Sequence, residues 1–306
     1  MDNVAMPPTN VKTPPNLRQK LHWLGSGLAI AGIIFVIFRM RTYWLELDFS
    51  EVIPLAWFSV GLLAVAYGAA NILLALAWRH LVSHLGTSVS RPRSIKIYGI
   101  SQLAKYLPGN IFHLAGRQAL GMAAGIPAGT LAKSTLWELG LLVATATLFS
   151  SLVPPLLTPH FPETLSVLIL LVSGWIFAWV LKRLGSQQVV TAFIYQAVFL
   201  GVSAGIFTAL ISVISKNEII PMTLWPSIGG AYIIAWLAGL VTPGAPAGVG
   251  IREMVLLLLL KGTVQEADLL MATLLGRLVT VTGDLLFFLC VSPLQPHATA
   301  TDSTNA

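Results

Sequence analysis

The sequence predicts an all-α fold, a polytopic integral membrane bundle of seven or eight spans containing two Gly/Pro-broken segments. Hydrophobic side chains make up 56% of the 306 residues and charged ones only 10%, too few to clothe a soluble domain of this size in solvated surface. The mean hydropathy is +0.80, and the apolar residues fall in runs of about 20, the length a helix needs to cross a bilayer. The third observation is charge placement. The chain has 18 Lys+Arg against 12 Asp+Glu, and most basic residues sit in short links between apolar runs, where they read as topology signals. A soluble enzyme is excluded, and a nucleic-acid partner is not expected. One cysteine, Cys290, gives no intrachain disulfide framework and no CxxC pair.

Residues 1–21, with Pro7, Pro8, Pro14 and Pro15 among Asn, Thr and Lys, read as a disordered cytoplasmic tail. A single transmembrane domain follows over residues 22–291, and residues 292–306 form a polar C-terminal tail. The first span is expected from His22 to Phe38; Arg39 and Arg41 follow it without a small-residue cleavage site, so it reads as retained. Further spans are expected at Val52 to Trp78, Leu136 to Leu157, Leu165 to Leu181, Val189 to Ile214, Ile219 to Val241 and Leu269 to Val291. The stretch from Arg79 to Lys96 carries four basic residues and no acid, so the positive-inside rule puts it in the cytoplasm with the N-terminus and with Lys182 and Arg183. These assignments agree only if the chain between Lys96 and Lys133 returns to the side it came from, which makes that segment re-entrant.

That first broken segment, residues 97–132, is interrupted by Pro108, Gly109, Gly116, Gly121, Gly125 and Pro127. The second, residues 242–262, places Pro243, Gly244, Pro246, Gly248 and Gly250 before an apolar run too short to cross a bilayer. In each, a Pro-Gly pair is followed nine positions after the proline by an arginine, Arg117 in one and Arg252 in the other, with Gln118 and Glu253 next. The shared spacing predicts an internal repeat offset by 135 residues. Four expected spans lie between the copies, which predicts a parallel repeat. Paired Gly/Pro-interrupted segments point to a transporter binding site, because unwound backbone frees N–H groups for a charged substrate. The competing reading is that these residues merely kink packed helices.

An ionisable side chain within an apolar segment is costly, so each one is a functional candidate. Arg117 and Arg252 are assigned to substrate binding, since guanidinium offers a fork of donors matched to phosphate. Glu253, Asn110 and His113 are candidate neighbours in that site, although a lone histidine at a helix break is more often structural. Pro108, Gly109, Gly116, Pro243, Gly244, Gly248 and Gly250 supply the broken backbone. Glu138, Arg277 and Asp284 form an expected intramembrane charge network: Glu138 could pair with Arg277 across the repeat, and Arg277 and Asp284, seven residues apart on one helix face, could share a neighbour. Lys105 reads equally well as a snorkelling interface lysine.

The motifs KYLPGN and PGAPAGVGIRE resemble those of the flippase-like membrane domain of the lysylphosphatidylglycerol synthase family and its free-standing relatives. The second motif is similar to that family's Pro-Gly-rich stretch closing in Gly-x-x-Glu, matched by Gly250 and Glu253, then a leucine run and Gly262; it departs in reading Pro243-Gly244-Ala245, with an added Pro246. The resemblance covers roughly Trp23 to Val291. It implies a domain that moves a lipid between leaflets, either an anionic phospholipid or a polyprenyl-phosphate-linked lipid used in cell-envelope biogenesis, with an envelope glycosyltransferase as a further partner. The chain carries no soluble aminoacyl-transfer domain, so aminoacyl-lipid synthesis is not expected of it.

Enzyme signatures such as HExxH, Walker A and GxSxG are missing, the six histidines are scattered, and no catalytic residue, metal site or cofactor is assigned. The function expected is therefore a lipid flippase-like transporter of the plasma (inner) membrane, facilitated or coupled to an ion gradient or membrane potential. The alternatives are a membrane-embedded lipid or glycan transferase, with Glu253 as general base, and an accessory scaffold for a glycosyltransferase.

Overall fold

The computed structural model describes most of residues 54–294 and scattered positions between Asn16 and Arg41; residues 108–110, 159, 216–219, 243–247 and 249 are outside the described set. The first expected span therefore lies largely outside the described residues, as does most of both tails. Helical positions at Asn16, Leu17, Gln19, Lys20 and Leu21 correct the expectation of a wholly non-helical tail up to residue 21. Among the described residues every element is a helix: α1 (Pro54–His84), α2 (Arg91–Gln102), α3 (Phe112–Ala123), α4 (Ala128–Phe149), α5 (Pro154–Leu157), α6 (Glu163–Leu184), α7 (Gln187–Ile214), α8 (Trp225–Val241), α9 (Ile251–Leu259) and α10 (Glu266–Val291). Short 3₁₀ turns at Leu103–Tyr106, Ser150–Leu152 and Met222–Leu224 extend α2 and α4 and lead into α8.

Six of these helices, α1, α4, α6, α7, α8 and α10, are long and apolar enough to cross a bilayer, and the chain is a multi-pass membrane protein. They correspond to six of the seven expected spans with shifted ends. The largest shift is at α1, which runs on to His84 and absorbs Arg79, while Lys96 belongs to α2. The expected basic loop from Arg79 to Lys96 thus shrinks to residues 85–90. Arg79 helps close that turn by donating from Nε to the Val89 carbonyl at 2.8 Å. Pro92 lies in the first turn of α2, where its missing N–H costs nothing.

The centre of the bundle is α1 packed against α7 and α10. The backbones of α1 and α10 meet at Gly68 and Gly283: a Cβ on Gly283 would stand 2.7 Å from the Ala64 carbonyl oxygen, so only glycine permits this crossing. Around it Trp78, Leu210, Ile211, Ile233 and Leu275 are fully enclosed. By contrast α6 buries only Ser166 and leaves Leu171, Trp175 and Trp179 exposed, as a helix at the lipid-facing edge should.

Contacts at the helix ends fix the direction of each crossing. Lys96 Nζ donates to the Leu294 carbonyl at 2.6 Å, and Ser186 Oγ lies 2.8 Å from His84 Nδ1, so the end of α1, the starts of α2 and α7 and the end of α10 share one end of the bundle. At the opposite end Ser227 Oγ donates to Glu163 at 2.6 Å and Gly230 abuts Leu152, gathering the end of α4 and the starts of α6 and α8. The two broken segments are hairpins entering from these opposite ends. The first is α2 with α3, which pack together on either side of the break. The second is α8 with α9: Gly248 abuts Gly239, and Arg252 lies over Tyr232 with 5.7 Å from guanidinium carbon to ring centre, so α9 runs back along α8.

This geometry corrects the expected parallel relation. Counting α8 as a completed crossing gave four spans between the segments, but α8 is itself the first arm of the second hairpin. Three crossings, α4, α6 and α7, remain between them, and an odd number inverts the second hairpin relative to the first. The chain turns back because α9, at nine residues, is only about 14 Å long and cannot complete a span.

Candidate functional site

Both hairpins contribute to one cavity of ≈ 140 Å³ in the bundle interior. The first supplies Tyr98, Lys105, His113 and Arg117, and the second supplies Tyr232, Gly239 and Arg252; Tyr67 of α1, Glu138 of α4 and Arg277 of α10 complete its polar wall. Leu74, Leu114, Leu142 and Phe199 make the rest of the lining apolar.

Arg117 is only 2% exposed and its NH1 group is ion-paired with Glu138, itself 3% exposed. Tyr98 donates to the other carboxylate oxygen of Glu138 at 2.9 Å, and its ring lies 4.0 Å from the Arg117 guanidinium carbon. This placement corrects the expectation that Glu138 pairs with Arg277. Helix α4 follows α3 through a tight turn, which brings Glu138 beside Arg117, while Arg277 pairs with Glu253. The two arginines differ in their helices: Arg252 is the second residue of α9, whereas Arg117 is mid-helix in α3.

Arg277 donates through Nε to Glu253 at 2.8 Å. The second oxygen of Glu253 accepts from the Gly250 N–H at 2.7 Å, so one carboxylate caps the start of α9 and ties that helix to α10. Gly250 adopts φ +87°, a left-handed conformation that a side chain at this cap would oppose. With both oxygens engaged, Glu253 is a brace rather than a cavity group. Asp284 has a cation of its own. Its Oδ2 atom lies 2.6 Å from Lys105 Nζ and accepts from the Tyr106 hydroxyl, while Oδ1 accepts from Asn71 at 3.1 Å. Lys105 therefore holds an internal ion pair in place of the expected snorkelling position.

Among the described residues these three carboxylates thus each have a cation: Glu138 with Arg117, Glu253 with Arg277, Asp284 with Lys105. Arg252 is different. No carboxylate among the described residues pairs with it, its Nε is buried without a hydrogen-bond partner, and its neighbour is the ring of Tyr232. His113 Nδ1 and Arg117 Nε are likewise buried and unpartnered within the protein. Three unmet polar groups, two guanidinium and one imidazole, therefore surround the same cavity. Of the assigned broken-backbone residues, Gly116, Gly248 and Gly250 are described, while Pro108, Gly109, Asn110, Pro243 and Gly244 lie outside the described residues.

Sequence reasoning missed Asn71, Tyr98, Gln102, Tyr106 and Tyr232. Asn71 carried a signal, a lone amide four residues after Tyr67 and so on the same face of an apolar helix. The tyrosines carried none, since tyrosine is at home at any membrane interface. No known family's sequence profile matches the chain, and no curated protein matches it.

Proposed function

We propose that this protein is a flippase-like transporter, moving an anionic phospholipid or a polyprenyl-phosphate-linked lipid between the leaflets of the membrane. The observation that carries this reading is the cavity where hairpins from opposite ends of the bundle meet, holding a guanidinium that no carboxylate among the described residues neutralises. An unpaired charge away from water is expensive, and an anionic headgroup is the ligand that would offset it. Guanidinium suits phosphate oxygens geometrically, and Arg252 stands in the first turn of α9, where the helix dipole also favours an anion.

The proposed internal repeat gains support from a contact that sequence could not supply. In each hairpin the arginine of the returning arm lies over a tyrosine of the first arm, Arg117 over Tyr98 and Arg252 over Tyr232. Two hairpins related by inversion around a central site are the arrangement expected of a device that opens alternately to each side. The motif resemblance to the lysylphosphatidylglycerol synthase flippase-like domain agrees with this reading.

Reconstitution in liposomes tests it. Tagged phosphatidylglycerol or polyprenyl phosphate placed in one leaflet should reach the other with its mass unchanged, and at a rate at least tenfold above empty liposomes. Product of altered mass, formed without a partner enzyme, would establish the transferase alternative, and no movement of either lipid would end the transporter reading.

A further inference from the structure

The charge balance of the cavity sets the charge of the ligand. Four cations surround it, Lys105, Arg117, Arg252 and Arg277, and three carboxylates, Glu138, Glu253 and Asp284, are paired with three of them. Among the described residues one positive charge is left, on Arg252. His113, an imidazole, is counted as neutral at pH 7. Within the bundle an uncompensated charge of either sign is costly, so occupancy is most favourable when the ligand carries a single net negative charge.

Resting on the transport reading above, we propose that the cavity selects a lipid headgroup whose net charge is a single negative one carried by a phosphodiester, bound by Arg252, and discriminates both against zwitterionic headgroups and against headgroups of two or more negative charges such as polyprenyl diphosphates. A phosphodiester carries one charge throughout the neutral range, whereas a phosphomonoester carries about 1.5 to 2. The Arg252 fork takes the phosphate oxygens, and His113, which lines the same cavity and has an unpartnered Nδ1, supplies a hydrogen bond without altering the balance. The other three cations hold their carboxylates and stay with them. A diphosphate would satisfy Arg252 and then impose a second charge beside Glu138.

The test compares ligands on the intact protein in detergent. Phosphatidylglycerol, phosphatidylcholine and polyprenyl diphosphate are titrated by native mass spectrometry into the natural sequence and into Arg252→Gln. Phosphatidylglycerol should bind at least tenfold more tightly than either competitor, and Arg252→Gln should lose that preference while melting within a few degrees of the natural protein, since no ion pair is broken. Equal or tighter binding of the diphosphate to the natural protein would overturn the proposal, as would undiminished phosphatidylglycerol binding to folded Arg252→Gln. The wild-type competition needs no variant to fold. Failure here separates from failure of the transport reading: selective binding without translocation sinks transport alone, and translocation of the diphosphate in preference to the diester sinks the charge rule alone.

Discussion

Arg117 and Arg252 occupy matching positions in two similar motifs, yet their removal should have different consequences. Arg117 is enclosed and neutralises Glu138, so Arg117→Gln strands a buried carboxylate and should destabilise the protein by about 3–5 kcal/mol, read as a lowered melting temperature in detergent. Arg252 neutralises no carboxylate among the described residues, so its loss should be visible in ligand binding and not in stability. Equal melting losses at the two positions would show that Arg252 has a structural role after all. The difference was invisible in sequence because the spacing that makes the arginines alike says nothing about which acid each can reach. At the position corresponding to Glu138, 135 residues further on, the chain has Thr273.

At the scale of the helices, each hairpin is tied to the helix that follows it by an ion pair with exchanged polarity. In the first, arginine is on the short helix α3 and glutamate on α4; in the second, glutamate is on the short helix α9 and arginine on α10. Short helices in a membrane interior have few intrahelical bonds to hold them, and these braces fix them against long neighbours. The α1–α10 crossing supports the same region from behind. A methyl group on Gly283 would meet the Ala64 carbonyl oxygen at 2.7 Å and Tyr67 Cδ1 at 2.9 Å, and the backbone oxygen cannot rotate away. Gly283→Ala should therefore force the helices apart, stretch the adjacent Asn71–Asp284 hydrogen bond and cost about 1–3 kcal/mol. An unchanged melting curve would mean that the crossing is looser than its backbone contacts indicate.

Over the whole molecule, the charges sort by end. Arg91, Arg93, Lys96, Lys182 and Arg183 belong to helix ends at the α1–α2 turn, while Glu163, Glu266 and Asp268 belong to helix starts at the other end, with Lys261. The positive-inside rule then predicts a cytoplasmic α1–α2 turn, and Leu294, bonded to Lys96, puts the end of α10 on the same side as that turn. In a Cys290→Ser background, an impermeant thiol reagent added to intact cells should label Gln265→Cys and reach Ser88→Cys only after permeabilisation. Labelling of both from outside would break the assignment of opposite ends, and the reverse pattern would invert the orientation.

The sequence by itself determined the class of the protein, six of its long helices and the two places where the chain had to break. Those properties are local: run length, hydropathy and Gly/Pro content act within a single segment, whatever its neighbours do. It also identified most of the buried charges, because charge is conspicuous in an apolar run. Tertiary structure alone decided how those charges pair, that α8 is one arm of a hairpin, and that the two hairpins face each other from opposite ends. Each of these depends on which segments lie side by side, and a run such as α8 satisfies the length and hydropathy of a crossing whether or not the following nine residues turn back along it. Arg252 became distinctive for the same reason, since an uncompensated charge is a property of its surroundings and leaves no mark on the residue itself.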